Sequence, residues 1–253
     1  MHDDLPTLEQ LWAADPHEPV STFDPDRLAH LPRAVQRHLR CAIEPGAPLH
    51  GAIRLRMRGE IKLGSWRPFE AEQVIRWGRG MIWRARAKML GPLAIKGHDA
   101  IVDGVGQMRW RLAGIIPVIR ADGPDITRSA AGRRELESVL LPSVLLHDDV
   151  QWEPSDDDHQ ASACVHVAGG DGRITIEVDD DGQLVRAWMP RWGNPEGGEH
   201  HEVPFGVRLS GQVREGGYAV PRQIRAGWYF DDPDRFEREG EFFRGEILGF
   251  ELG

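Results

Sequence analysis

The side chains most able to do chemistry in this 253-residue sequence are acids, one arginine and a pair of histidines beside apolar positions. His98-Asp99 lies in a segment that reads as a β-strand, so one of the two faces the core and the other faces solvent. A carboxylate turned inward is a buried ionisable group that requires a partner. Asp99 is therefore either a proton-transfer group or the anchor of a polar network. Glu137 follows Leu136 and precedes Leu140 by three positions on a predicted helix, close to its apolar face. Arg191 closes a strand after Trp188-Met189-Pro190. A contact between Glu137 and Arg191 would make either a structural ion pair or a clamp for an anionic substrate.

Gly198-Glu199-His200-His201-Glu202 offers two imidazoles and two carboxylates between predicted strands. Adjacent residues on extended backbone point in opposite directions, so His200 and His201 need a third ligand to hold a metal. The segment is either a solvated loop or the carrier of a general acid or base at a cavity mouth. The candidates for proton transfer are thus Asp99, Glu137, His200 and His201. Nine tryptophans stand against two tyrosines. Of these, Trp83, Trp110, Trp188 and Trp228 fall on predicted strands, where indoles either fill the core or line a pocket for a flat or greasy molecule.

No phosphate-binding glycine loop, dinucleotide fingerprint, nucleophile elbow, His-Glu-x-x-His or Cys-x-x-Cys is present, so no cofactor and no metal is expected. The formal net charge of -9 disfavours nucleic acid as the main partner, although a local basic stripe stays open. Cys41 and Cys164 lack ligand spacing and read as buried thiols. The acidic start, Met1-His2-Asp3-Asp4, is unlike a secretory signal, and no run of 18 apolar residues occurs. A cytoplasmic chain without a membrane span is the expectation, and its oligomeric state is open.

The elements that must position these groups follow from periodicity. Leu5, Leu8, Leu11 and Trp12 have helical spacing and predict a docked helical turn, with a loop at Asp15-Pro16-His17-Glu18-Pro19, in an N-terminal segment of residues 1–25. Leu31 to Ile43 reads as a helix with Pro32 in its first turn and Pro45-Gly46 as its stop. From Leu49 the period becomes two: Ile53, Leu55 and Met57 alternate with arginines, and Phe69, Ala71, Gln73, Ile75 and Trp77 repeat the pattern. Such alternation means a sheet with one apolar and one charged face. Strands are expected at 93–103, 105–113, 149–153, 161–168, 172–179, 183–190, 204–214, 218–230 and 236–250, around one long helix over Asp125–Leu141 ended by Pro142. Short turns join the strands, which excludes a parallel doubly wound sheet. Residues 26–253 are expected to form one mainly β (α+β) domain, a large curved antiparallel sheet or half-barrel with a few covering helices.

Leu31-Pro32-Arg33-Ala34-Val35-Gln36-Arg37-His38-Leu39-Arg40 resembles the opening signature of a bacterial family known only as a domain of unknown function. The resemblance continues through Trp66-Arg67-Pro68-Phe69-Glu70-Ala71-Glu72-Gln73, Trp83-Arg84-Ala85, Gly97-His98-Asp99, Asp103-Gly104-Val105-Gly106, Leu136-Glu137, Pro142, Trp152 and Gly217-Tyr218-Ala219-Val220-Pro221. It implies a curved antiparallel sheet similar to lipoprotein-carrier half-barrels, and it marks Asp99 as a recurrent acid. It implies no activity. Many members begin with a membrane segment that this sequence does not show, which points away from envelope transport.

Two functions are compatible with these residues. A cofactor-independent lyase, isomerase or hydrolase acting on a hydrophobic small molecule would use Asp99, Glu137 or a loop histidine for proton transfer and Arg191 to hold an anion. It calls for two ionisable groups converging in one apolar pocket. A carrier or sensor of a lipid-like or aromatic ligand calls instead for polar groups at the rim.

Overall fold

The computed structural model describes residues 5–14, 21–89, 91 and 93–253; the loop expected at residues 15–19 lies outside the described residues. Alternation from residue 52 onward produces β1 (Ala52–Leu63), β2 (Ser65–Arg76), β3 (Gly80–Lys88), β4 (Ala94–Val102), β5 (Val105–Leu112) and β6 (Ile116–Asp122). A helix, α3 (Pro124–Glu137), and two short 3-10 turns, Ser138–Leu140 and Pro142–Leu146, then lead into the second half. That half contains β7 (Val150–Trp152), β8 (Gln160–Val167), β9 (Gly170–Val178), β10 (Leu184–Gly193), β11 (His201–Glu215), β12 (Tyr218–Trp228) and β13 (Glu241–Leu252).

All thirteen strands form one antiparallel sheet in the order β6-β5-β4-β3-β2-β1-β13-β12-β11-β10-β9-β8-β7, which curls into a half-barrel. Each half is a meander, and the non-local pairing of β1 with β13 joins them, Ile53 lying opposite Leu252 and Leu55 opposite Phe250. The helix α3 crosses the concave face and lies against β4, β5 and β6 of one half and β8, β9 and β10 of the other. Apolar residues alternating inward from both halves form one continuous core beneath it.

Two shorter helices close the remaining surface. The helix α1 (Leu8–Ala13) begins at a Thr7–Gln10 capping box and seats Leu8 and Leu11 on Val74, Ile82, Ala100 and Val102 of the outer face. Arg76 holds its C-terminal end by donating to the Leu11 and Trp12 carbonyls. The helix α2 (Arg33–Ala42) buries Val35, Leu39 and Ala42.

Three details depart from the sequence reading. β6 is an additional strand, and the strand expected from residue 236 begins only at Glu241, residues 233–240 forming helical turns before it. Asp232 caps that turn by accepting from the Asp234 and Arg235 amides, which diverts the backbone from strand geometry. Cys41 and Cys164 are free but half-buried rather than buried, and Gln212 reaches the Cys41 sulfur.

Candidate ligand cavity

A cavity of about 290 Å³ lies between α3 and the concave face. Its walls are mainly apolar, with Met57, Met81, Trp83, Phe205, Trp228 and Phe243 among them. Four charged side chains also line it: Asp99, Arg133, Glu137 and Arg191.

Asp99 is the inward member of the His98-Asp99 pair, because Trp83 is its cross-strand neighbour on the inner face. Its Oδ1 accepts from the Trp110 indole N–H at 2.8 Å and its Oδ2 accepts from Arg133 at 3.1 Å. Trp110 lies directly over Gly97, where a Cβ would come 2.7 Å from the ring, so the missing side chain lets the indole reach Asp99. His98 faces outward, and burial together with Arg109 and Arg84 lowers its pKa despite the adjacent Asp99 charge.

Glu137 meets Arg133, not Arg191. One turn of helix separates the two residues, and Arg133 Nε donates to Glu137 Oε1 at 2.7 Å. The second Glu137 oxygen accepts from Gln73 Nε2 at 2.5 Å. Burial acts to lower the Arg133 pKa, but Glu137 and Asp99 together outweigh it and hold the guanidinium above its ordinary value. Trp83 adds a ring face 5.2 Å from that guanidinium. The two acids singled out from the sequence are therefore joined through one arginine.

Arg191 is different. Its Nε donates to the Ser129 carbonyl at 3.0 Å and one terminal nitrogen approaches Ser129 Oγ at 3.3 Å. Phe205 and Trp228 lie 4.5 and 5.1 Å from its guanidinium carbon. Gly132 makes room for its stem, since a Cβ there would stand 3.2 Å from Arg191 Cγ. Among the described residues no carboxylate pairs with it at salt-bridge distance. Burial, reinforced by the nearby Arg133 charge and only partly offset by the Glu137, Asp99 and Glu135 charges, pulls its pKa down to about 10, which leaves it cationic at neutral pH.

The remaining sequence candidates separate. Trp83 and Trp228 line the cavity, whereas Trp110 stands behind Trp83 and acts on the cavity through Asp99. Trp188 faces away: Met189 and Arg191 point to α3, so strand parity turns Trp188 outward, where it stacks on Phe230. His200 and His201 also lie outside the cavity. His200 stacks on Trp192 with Asp125 3.8 Å away, and His201 is exposed at the start of β11. No group of three or more His, Cys, Asp or Glu is arranged to hold a metal among the described residues. Arg133, Gln73 and Ser129 are the site residues the sequence reading did not select, although Gln73 is a polar residue at an apolar-periodic position and Arg133 stands four residues before Glu137.

The model of the Family of unknown function (DUF6544) matches residues 21–237. The chain belongs to that family. No curated protein matches this DUF6544 chain. Among solved structures it is similar to a LolA superfamily protein from Nitrosomonas europaea, with a TM-score of 0.45 and 7% identity over 87% of this chain and 92% of that one. It is also similar to a putative outer membrane lipoprotein-sorting protein domain from Vibrio parahaemolyticus, with a TM-score of 0.38 and 9% identity over 80% of this chain and 85% of that one.

Proposed function

We propose that this protein binds, without transforming, a hydrophobic small molecule that carries an anionic group, and acts as its carrier or sensor. The observation that carries this reading is Arg191, a guanidinium held in a mostly apolar cavity by Ser129 and two aromatic rings and lacking a carboxylate partner. Placing a cation in such surroundings is costly unless an anion completes it. A carboxylate or similar group of a ligand supplies that anion, and the apolar wall takes the rest of the molecule. The volume of about 290 Å³ stands at the lower end of small-molecule sites, which suits a medium-length chain or a compact ring system.

An enzyme reading draws support from the convergence of Asp99 and Glu137 in one pocket. Against it, three of their four carboxylate oxygens are engaged by Arg133 and Gln73, and the fourth by Trp110, so neither acid is free to exchange a proton without giving up a partner. Native mass spectrometry of the purified protein, with tryptophan-fluorescence titration of hydrophobic acids, separates the two. A ligand released chemically unchanged, with no panel member converted, supports a carrier. Conversion of a panel member that disappears in Asp99→Asn or Glu137→Gln while binding persists establishes catalysis instead.

A further inference from the structure

The outer face of β3 to β6 carries an arrangement that the cavity does not explain. Register places Arg86, Lys96 and Arg111 side by side on three neighbouring strands, and Arg84, His98, Arg109 and Arg120 side by side on four. Like charges opposite one another on adjacent strands destabilise a sheet. Toward β1 the rows are neutralised, Glu70 lying between Arg58 and Arg86 and Glu72 between Arg56 and Arg84. Toward β6 they are not: Arg109 pairs with Asp122, but among the described residues Lys96, Arg111 and Arg120 have no carboxylate at ion-pair distance. These cations line an open groove of about 1250 Å³, in a chain whose overall charge is -9.

At Pro117 and Ile119 the groove reaches the edge of the sheet, which carries an aliphatic tip. The β5–β6 turn and the first half of β6 expose Ile115 by 78%, Ile116 by 59%, Val118 by 46% and Ile119 by 40%. β6 is an edge strand, yet Pro117 lacks an N–H and Arg120 adds charge, features that oppose extension of the sheet by another strand. An apolar tip bordered by unneutralised cations matches a bilayer surface, whose headgroups accept the charges while the aliphatic side chains enter the acyl boundary. A nucleic acid would satisfy the cations and leave the isoleucines in water.

We propose that the basic groove of β3 to β6, with the Ile115–Ile119 tip, docks this protein on an anionic phospholipid surface. The test is flotation of the full chain with vesicles of phosphatidylcholine alone and of equimolar phosphatidylcholine and phosphatidylglycerol. The expected result is association with the anionic vesicles only, weakened at least about tenfold in Arg111→Glu/Arg120→Glu. Ile115→Asn/Ile116→Asn is expected to associate at low salt but to be released by high salt, and Arg191→Met to behave as wild type because it leaves this surface intact. Thermal unfolding of each variant checks that the fold persists. Equal binding to both vesicle types, no binding, indifference to the charge reversals, or displacement from the anionic vesicles by single-stranded oligonucleotide at lower concentration than by soluble headgroup would overturn the proposal.

Discussion

Glu241 and Glu135 are both almost fully buried, 1% and 2% exposed, and their surroundings drive them in opposite directions. Glu241, at the start of β13, bears the cost of burial but accepts from both Arg225 and Arg244, which carry its pKa down to about 2. Glu135, on α3, has no hydrogen-bonded cation among the described residues, and burial with the nearby Asp171 charge pushes it up to about 7. A buried ion with its partners in place is a structural fixture. One without them is held at a cost that only a ligand or a proton relieves. The cavity repeats the contrast: Arg133 is the satisfied ion, locked between Asp99 and Glu137, and Arg191 is the unsatisfied one.

The largest expected effect comes from converting the satisfied ion into two unsatisfied ones. Arg133→Met deprives Asp99 and Glu137 of the cation that hydrogen-bonds both and is expected to cost about 3–5 kcal/mol, read by urea denaturation at neutral pH. A loss under 1 kcal/mol would show that the network is not what fixes α3 to the sheet.

Glu135 sharpens the comparison through pH. Its folded pKa, about 7, lies above the ordinary 4.5, so the folded state holds the extra proton and stability falls as pH rises between these values. The full penalty is on the order of 3 kcal/mol. His38 opposes it: burial lowers its pKa to about 4, so its contribution rises as pH climbs from about 4 to 6.5. Glu135→Gln should therefore gain stability relative to wild type as pH rises from 4.5 to 7, measured as the difference between two denaturation series. A constant difference across that range would mean that Glu135 is solvated.

Arg191→Met is expected to leave stability unchanged or raise it, because an unpaired buried cation is replaced by an apolar chain of similar reach. At the outer face, Arg84→Ala removes a pair of exposed ion pairs, to Glu9 and Glu72, and should cost under about 1 kcal/mol, less at high salt. A larger loss there would blur the distinction between the two faces.

How much of this was legible in the sequence depends on whether a residue's environment is set locally. Strand alternation is local, so the sheet, its charged outer face and the opposite facing of His98 and Asp99 could be read directly, while which of the two turns inward could not. β6 could not, because its exposed Ile116-Pro117-Val118-Ile119 run has no buried face to impose alternation and contains a proline. Trp188 was misassigned because its orientation depends on the parity of β10 relative to Arg191, and selecting both for one cavity conflicts with a period of two. Whether Glu137 meets Arg191 is open in the sequence, although a nearer cation, Arg133, stands four residues earlier on the same helix. That pair was available from helix geometry alone. The absence of a partner for Arg191 was not, since it depends on how two distant strands and α3 converge.

The central claim is that Arg191 waits for the anionic group of a hydrophobic ligand, and titration calorimetry with decanoate and decanol tests it most directly. The account predicts that decanoate binds wild type more tightly than decanol, and that Arg191→Met removes the difference by weakening decanoate at least about tenfold while sparing the alcohol. Equal affinity for acid and alcohol in the wild type, or an acid preference that survives Arg191→Met, would contradict it.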